Sequence, residues 1–405
     1  MRFHHPDHDG RELHLAYCLN LHPADDVAGT LRGIREITLP LRDQLAGGRS
    51  FGVGMYFPAP VAHALAAPDG AAELEALAAE LDRERLDPFT FNAFPYGGFH
   101  EAGLKRGVFA PTWCEAERLE YTLAVAKIAA RLNRGRAGHV SISTHPGRFG
   151  AFEADERERA TANFGRCLEG LAALADGGGP VIRLAIEAEP RAAAGDTREV
   201  NALLAHLAAA LDADLVQRHL GACLDACHSA VEFEEPGEAL AWATPLPLGK
   251  LQYSSALTLA GPGTDAAARA ALFALDEPRY LHQTTGRSGA ALLRCDDLPE
   301  LRAACADTSS PWLACDEWRT HFHVPVDLEE VGGLGTTHAH AAALLELLLA
   351  NRHTWGGPHL HVELETYTWD ILPGAARGAG GLVEGLAREY RPVLERLAAA
   401  GWQPA

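Results

Sequence analysis

Short apolar runs of strand length alternate with amphipathic stretches of helical length along this whole chain, and that alternation leaves few folds open. Eight runs read as buried strands: 13–20, 51–57, 88–93, 139–144, 181–187, 220–225, 250–255 and 359–365. Helical spacing marks 24–46, 70–86, 113–133, 154–176, 196–214, 234–243, 263–275, 336–351 and 378–400. Thr112-Trp113-Cys114-Glu115 has the form of a capping box and predicts a helix start there. Parallel strands need a long crossover each time, usually a helix, so this pattern predicts an α/β fold of the (β/α)8 TIM-barrel kind, one domain over 1–405. An open doubly wound sheet shows the same alternation. It normally carries a glycine-rich phosphate turn after its first strand, which Tyr17-Cys18-Leu19-Asn20-Leu21-His22-Pro23 is not.

The spacing breaks once. From Ser255 to His359 the chain is far longer than one crossover needs. Residues 259–335 are therefore expected to form a long insert between strands 7 and 8, with a hairpin over 279–294 and the segment Thr320-His321-Phe322-His323-Val324-Pro325-Val326. A loop in that position lies over the mouth of a barrel, as a lid or partial wall. A packing or oligomer-contact element, with a homodimer as the assembly, fits the same residues.

Polar groups collect where the runs end. Asp225 closes the sixth, and His228 follows within one helical turn; the pair is either a helix cap with a solvated imidazole or two ligands at the rim of a site. The fifth ends in Glu187 and Glu189, alternate residues on one strand face, and the eighth in Glu365. A barrel brings all eight ends to one pocket, so Glu187, Asp225 and Glu365 would crowd together. Crowded carboxylates need protons or a cation among them. A divalent ion such as Mn, Zn or Mg meets that need, and a hydrogen-bonded polar network is the alternative. His321 and His323, at i and i+2, share a face if extended, as a ligand pair requires; they are otherwise loop histidines in a chain with twenty. His4, His5, His8 and His14 are irregularly spaced and read as a solvated tail. Candidate substrate-binding residues are Asn92 and Tyr96 in the loop after strand 3, His145 before a Pro-Gly turn, Arg191, Tyr367, and His282 in the hairpin.

Charge and cysteines narrow the setting. A net charge of −19 repels phosphate backbones and argues against nucleic acid as a partner. No window is apolar enough for membrane insertion, and the first twenty residues lack the apolar core of a signal peptide. The eight cysteines include no C-x-x-C and read as free thiols, so the expectation is a soluble cytoplasmic protein.

These motifs resemble the xylose-isomerase-like TIM-barrel superfamily, which includes sugar isomerases, ketose 3-epimerases and endonuclease IV. Asp225-Ala-Cys-His228 is similar to its D-x-x-H segment, Glu187-Ala-Glu-Pro190 to its metal-Glu strand, Glu365-Thr-Tyr367 to its last-strand metal Glu, and His145-Pro-Gly147 to the H-P-G of the endonuclease branch. Within the superfamily, His14 to Pro23, Asn92 to Gly97, Ser141 to Thr144 and His321 to Pro325 most resemble the EboE group of metabolite-traffic proteins. The resemblance implies Glu187, Asp225 and Glu365 as metal ligands, with His228 contacting substrate or a second ion. It also exposes a departure: epimerases of the superfamily have a histidine on strand 7, where this chain has Gln252 as the fourth candidate ligand. An amide oxygen is a weaker ligand for a transition metal than a neutral imidazole. His321 or His323, arriving from the insert, would compensate.

Three functions follow as expectations. The first is a metal-dependent isomerase or epimerase of a sugar or sugar-like polyhydroxylated metabolite, with Glu187 and Glu365 moving the proton and His228 assisting. The second is a non-catalytic barrel that binds such a metabolite. The third is an endonuclease-IV-like metal-dependent phosphoesterase, which His145, His228, His321 and His323 would support.

Overall fold

The computed structural model describes residues 1–7, 10–22, 24–98, 103–134, 138–374 and 381–405. Eight parallel strands close into a barrel: Glu12–Cys18, Phe51–Tyr56, Leu86–Asn92, Val140–Thr144, Ile182–Glu187, Leu220–Asp225, Lys250–Tyr253 and His359–Leu364. They are strands one to eight below. Each pairs with the next, and strand eight returns to strand one with His359 opposite Glu12 and His361 opposite His14. The alternation in the sequence thus maps onto a closed (β/α)8 barrel, strand for strand. Pro88, which cannot donate to a ladder, sits in strand three where its register against strand two shifts, Val53 facing Pro88 and Gly54 facing Thr90.

The outer helices include Ala71–Arg83, Ala116–Asn133, Ala154–Asp176, Thr197–Ala210, His338–Ala350 and Gly381–Ala399. The expected helix start at Thr112 falls a few residues early. Thr112 N–H donates to the Glu115 carboxylate and Cys114 N–H to Thr112 Oγ1, but these bonds close a turn, and the helix begins at Ala116.

Side-chain alternation divides each strand between two environments. Leu13, Leu15 and Tyr17 of strand one and Leu360, Val362 and Leu364 of strand eight join the apolar core between sheet and helices. The intervening positions carry polar groups inside the barrel. His361 Nδ1 lies 2.9 Å from Ser141 Oγ, which donates to Thr90 Oγ1 at 2.9 Å. One layer higher, the Lys250 ammonium donates to Glu363, both side chains fully buried. Branched apolar residues usually fill that volume in such barrels, so this interior is built for more than packing. Gly54 leaves the room Glu363 occupies, since a Cβ there would overlap Glu363 Oε1.

Between strands seven and eight the chain forms a second, antiparallel sheet, with the strands in the order Ala291–Cys295, Thr284–Ser288, Glu317–Thr320, Leu257–Ala260, Leu334–Thr336 and Glu330–Val331. It has its own apolar core, including Leu257, Leu259, Trp318 and Phe322. Of the expected 279–294 hairpin, Thr284–Ser288 and Ala291–Cys295 are strand, while 279–283 is irregular. His321 N–H donates to Gln283 O at 2.8 Å and Val324 N–H to Ser255 O at 2.9 Å, which fastens the segment after Thr320 over the carboxyl ends of the barrel strands. Among the described residues no helix is long and apolar enough to cross a membrane, and the eight cysteines form no disulfide.

Candidate metal centre

Asp225, at the end of strand six, is both cap and site residue. Its Oδ1 accepts from His228 N–H at 2.9 Å, capping the short helix Ala226–Val231, and from Ser254 Oγ at 2.8 Å. Its Oδ2 is buried and has no protein partner. One carboxylate oxygen thus makes the cap and the other is left for a ligand, while His228, 2% exposed, is not the solvated imidazole of the capping reading.

Glu187 ends strand five, Glu365 follows strand eight, and each is 3% exposed. Glu187, Asp225 and Glu365 offer oxygens that all lie within 4.8 Å of one another. Glu365 Oε1 accepts from Asn20 Nδ2 at 2.7 Å and Asn92 Nδ2 at 3.2 Å, while Glu187 Oε2 is unpaired. Burial, then repulsion from Glu365 and Asp225, pushes the Glu187 carboxyl well above the usual carboxylate range. Burial, then Asp225 and Glu363, does the same to Glu365. Without a cation, this cluster has to hold protons.

Three imidazoles adjoin it. His228 Nδ1 lies 2.7 Å from Ala188 O, His321 Nδ1 2.7 Å from Gln283 Oε1, and His323 Nδ1 2.9 Å from Glu365 O. All three partners are acceptors, so each Nδ1 carries the proton. Gln283 is itself oriented by donating Nε2 to Glu189 Oε1 at 2.7 Å and Pro190 O at 3.1 Å. A neutral imidazole protonated at Nδ1 has only a lone pair at Nε2. Yet His228 Nε2 lies 3.1 Å from His321 Nε2 and 3.2 Å from His323 Nε2. Burial holds His321 well below the ordinary histidine range and His323 down to about 4, so neither supplies a second proton near neutrality. Tyr367 OH, 3.2 Å from His321 Nε2, can relieve one lone pair. A divalent cation suits the set as a whole: buried carboxylate oxygens without partners beside imidazole nitrogens whose other ring atom is pinned by an acceptor.

Glu187, Glu365 and the three imidazoles form the floor of a cleft. Glu189, His228, His321 and His323 line it, with Asn20 and Gln283 among the neutral donors. Phe94, Phe109 and Leu281 form one apolar wall and Tyr280 with Tyr367 another. Lys105 N–H donates to Arg279 O at 2.8 Å, tying the loop after strand three to the residues leading into the second sheet.

The other sequence candidates divide. Asn92 and Tyr367 line the cleft. Tyr96 lies edge-on to Tyr121, with its ring face near the Arg118 guanidinium. His145 packs edge-on to Phe94 and Phe109 behind the wall, its Nδ1 accepting from Gly147 N–H at 3.1 Å. Arg191 is paired with Glu232 and bonded to Thr285. His282 stacks on Phe322 with ring centroids 3.7 Å apart, and its Nδ1 lies 2.9 Å from His321 O. These four support the walls and do not line the cleft. Gln252 is fully buried, and its amide oxygen accepts from Cys223 Sγ at 2.9 Å, turned to strand six; His321 and His323, from the segment beyond strand seven, lie close to the cluster.

Sequence reasoning passed over Asn20, Gln283, Lys250 and Glu363 as site residues. Gln283 is a single amide with no motif around it, and Asn20 lies in the His14 to Pro23 stretch, to which no site role was attached. Lys250, one of only three lysines, inside an apolar run, was the available signal.

Fold and site together define a (β/α)8 barrel with a carboxylate and imidazole centre at the carboxyl ends of its strands. No protein-family model matches the chain, and no curated protein matches it in sequence. Among solved structures it is similar to an L-ribulose 3-epimerase, at 12% identity over 95% of each chain with a TM-score of 0.48. It is also similar to the IOLI protein with a bound zinc atom, at 11% identity over 96% of this chain and 99% of that one, TM-score 0.45. A xylose isomerase-like TIM-barrel protein from Mycobacterium smegmatis, in complex with magnesium, matches at 13% identity over 89% and 87%, TM-score 0.46.

Proposed function

We propose that the protein is a divalent-metal-dependent isomerase or epimerase of a small polyhydroxylated carbonyl compound. The observation that carries this reading is the approach of three imidazole Nε2 atoms to one another beside the Glu187, Asp225 and Glu365 oxygens, at the floor of the cleft. Glu187, Asp225 and Glu365 with His323 hold the ion, and His228, His321 and Glu189 adjoin it. What manganese, zinc or magnesium supplies when bound there is Lewis acidity toward a carbonyl and its neighbouring hydroxyl, which acidifies the C–H between them. Glu187 and Glu365 take and return that proton. Asn92 and Tyr367 orient hydroxyl groups, and the aromatic walls keep water from the reacting carbon. The second sheet, which spans 257–336 and so slightly more than the 259–335 insert, serves as the lid of a single-domain barrel. The motifs that resemble the EboE group support a substrate from specialised-metabolite biosynthesis or traffic, and eight free thiols suit the cytoplasm.

Metal analysis of the full chain, followed by incubation with a panel of ketoses and aldoses in D2O, tests the reading. The expected result is about one ion per chain that is lost in Asp225→Asn, and deuterium at the carbon beside the carbonyl, abolished in Glu187→Gln and in Glu365→Gln. Undiminished incorporation in both variants removes the mechanism. Bound sugar without turnover or metal would instead make the protein a metabolite-binding barrel.

One observation favours a second reading, a metal-dependent phosphoesterase. The groups that can hold an ion form overlapping sets sharing Asp225 and His228, which leaves room for more than one ion. Two or three ions per chain that are lost in Asp225→Asn, with phosphodiester cleavage and no deuterium uptake, would establish it.

A further inference from the structure

The opposite end of the barrel carries a second cluster of ligand atoms. Glu12 opens strand one, His359 opens strand eight directly opposite it, and His14 follows on strand one. His14 Nε2 lies 3.2 Å from Glu12 Oε2, and His359 Nδ1 lies 3.6 Å from the same oxygen. The three ligand atoms are within 4.8 Å of one another. His14 is no part of a solvated tail: it is fully buried on strand one, whereas His8 lies outside the described residues.

Hydrogen bonding alone leaves this cluster incomplete. His14 Nδ1 and His359 Nδ1 are buried without a partner. Behind His14, Asp87 Oδ2 stands 4.0 Å from Nδ1, on the side where a ligating histidine takes its carboxylate partner. Asp87 is fixed by Arg2, whose Nε and Nη2 donate to its two oxygens at 2.7 and 3.1 Å. The Glu12 side chain is 39% exposed and that of His359 16%, which gives an ion a way in from solvent.

We propose that Glu12, His14 and His359 form a second divalent-metal site, at the seam where strand eight closes on strand one. Two imidazole nitrogens and one carboxylate oxygen, with a position open to water, suit zinc before magnesium or calcium. The ion bridges the first and last strands and therefore favours the closed barrel by mass action, with no part in turnover. From His359 to Glu365 the two sites are separated by six residues of strand, roughly 20 Å.

The test is zinc titration of the chelator-stripped full chain by calorimetry and elemental analysis, beside Glu12→Gln and His359→Gln. Wild type is expected to bind one more equivalent than either variant. Zinc should raise its melting temperature more than theirs, and turnover and apo-state circular dichroism should match across all three. Cobalt substitution gives an independent readout, since the variants should lose one tetrahedral d–d absorption while the centre at Asp225 keeps its own signal. Equal zinc stoichiometry in wild type and both variants overturns the proposal. Failure of the site at Asp225 leaves this comparison intact, because both variants lie at the other end of the barrel.

Discussion

His228 Nε2 stands 3.1 Å from His321 Nε2, two ring nitrogens held against each other by hydrogen bonds from Nδ1 at the far side of each ring. One partner comes from the barrel and the other from the segment beyond strand seven, so the centre is assembled only when that segment is seated. The holder on the second-sheet side is Gln283, whose amide both accepts from His321 Nδ1–H and donates to Glu189.

Gln283→Ala should therefore weaken divalent-metal affinity by about 10- to 100-fold, the usual cost of losing a group that orients a ligand. Competition with a chromophoric chelator measures it. Gln283→Glu should restore part of the loss, because a carboxylate still accepts from His321 Nδ1–H. An affinity unchanged in Gln283→Ala would remove the role assigned to His321.

Asp225 allows its two duties to be separated. Asn caps a helix about as well as Asp, so Asp225→Asn should leave stability within about 0.5 kcal/mol of wild type while metal content collapses. Asp225→Ala loses the cap as well and should cost about 1 kcal/mol more on urea unfolding of the stripped protein. Metal retained in Asp225→Asn would sink the ligand assignment.

How far the site was legible in the sequence follows from where each residue lies. Strand ends are marked by the change from apolar runs to polar residues, and a barrel sends every such end to one pocket, so Glu187, Asp225 and Glu365 could be placed together from the pattern alone. Which strand end faces the cleft and which is backed by a wall depends on loop paths that periodicity does not encode; hence Arg191 and His145 looked like site residues and are occupied in ion pairing and ring packing. Gln252 sat at the register of a ligand, yet the thiol of Cys223 on the neighbouring strand takes its oxygen, a pairing visible only once strands six and seven are in register. His14 was grouped with the irregularly spaced histidines before it although it falls inside the 13–20 run read as a strand, and the alternation of that strand is what buries it.

Lys250 and Glu363 offer a test of the polar barrel interior. Removing one member of a buried pair leaves a bare charge, so Lys250→Met should destabilise the protein by about 3–5 kcal/mol. The double variant Lys250→Met with Glu363→Met should recover most of that loss, since apolar residues of similar volume often replace a buried pair without penalty. Denaturant unfolding of the wild type, both single variants and the double variant measures the coupling. A double variant no more stable than Lys250→Met would show that the interior needs its charges for folding.

Glu389, on the last helix, gives a prediction for pH. Its carboxylate accepts from Thr366 Oγ1 at 2.6 Å, Val326 N–H at 3.1 Å and Trp369 Nε1–H at 3.1 Å, joining that helix to the segment after His323 and to the residues following strand eight. Burial pushes its carboxyl up to about 8, against the three hydrogen bonds that favour the charged form. The folded state therefore holds this proton more tightly than the unfolded chain does. Stability from that proton is complete below the ordinary carboxylate value of 4.5 and is lost as pH rises toward about 8. Glu389→Gln keeps an acceptor oxygen and cannot ionise, so it should remove this slope. The unfolding free energy of wild type relative to Glu389→Gln should fall by a few kcal/mol, in order of magnitude, between pH 5 and pH 8.5. Urea unfolding at both pH values measures the difference, and parallel pH profiles for the two proteins would show that Glu389 is ionised in the folded state throughout.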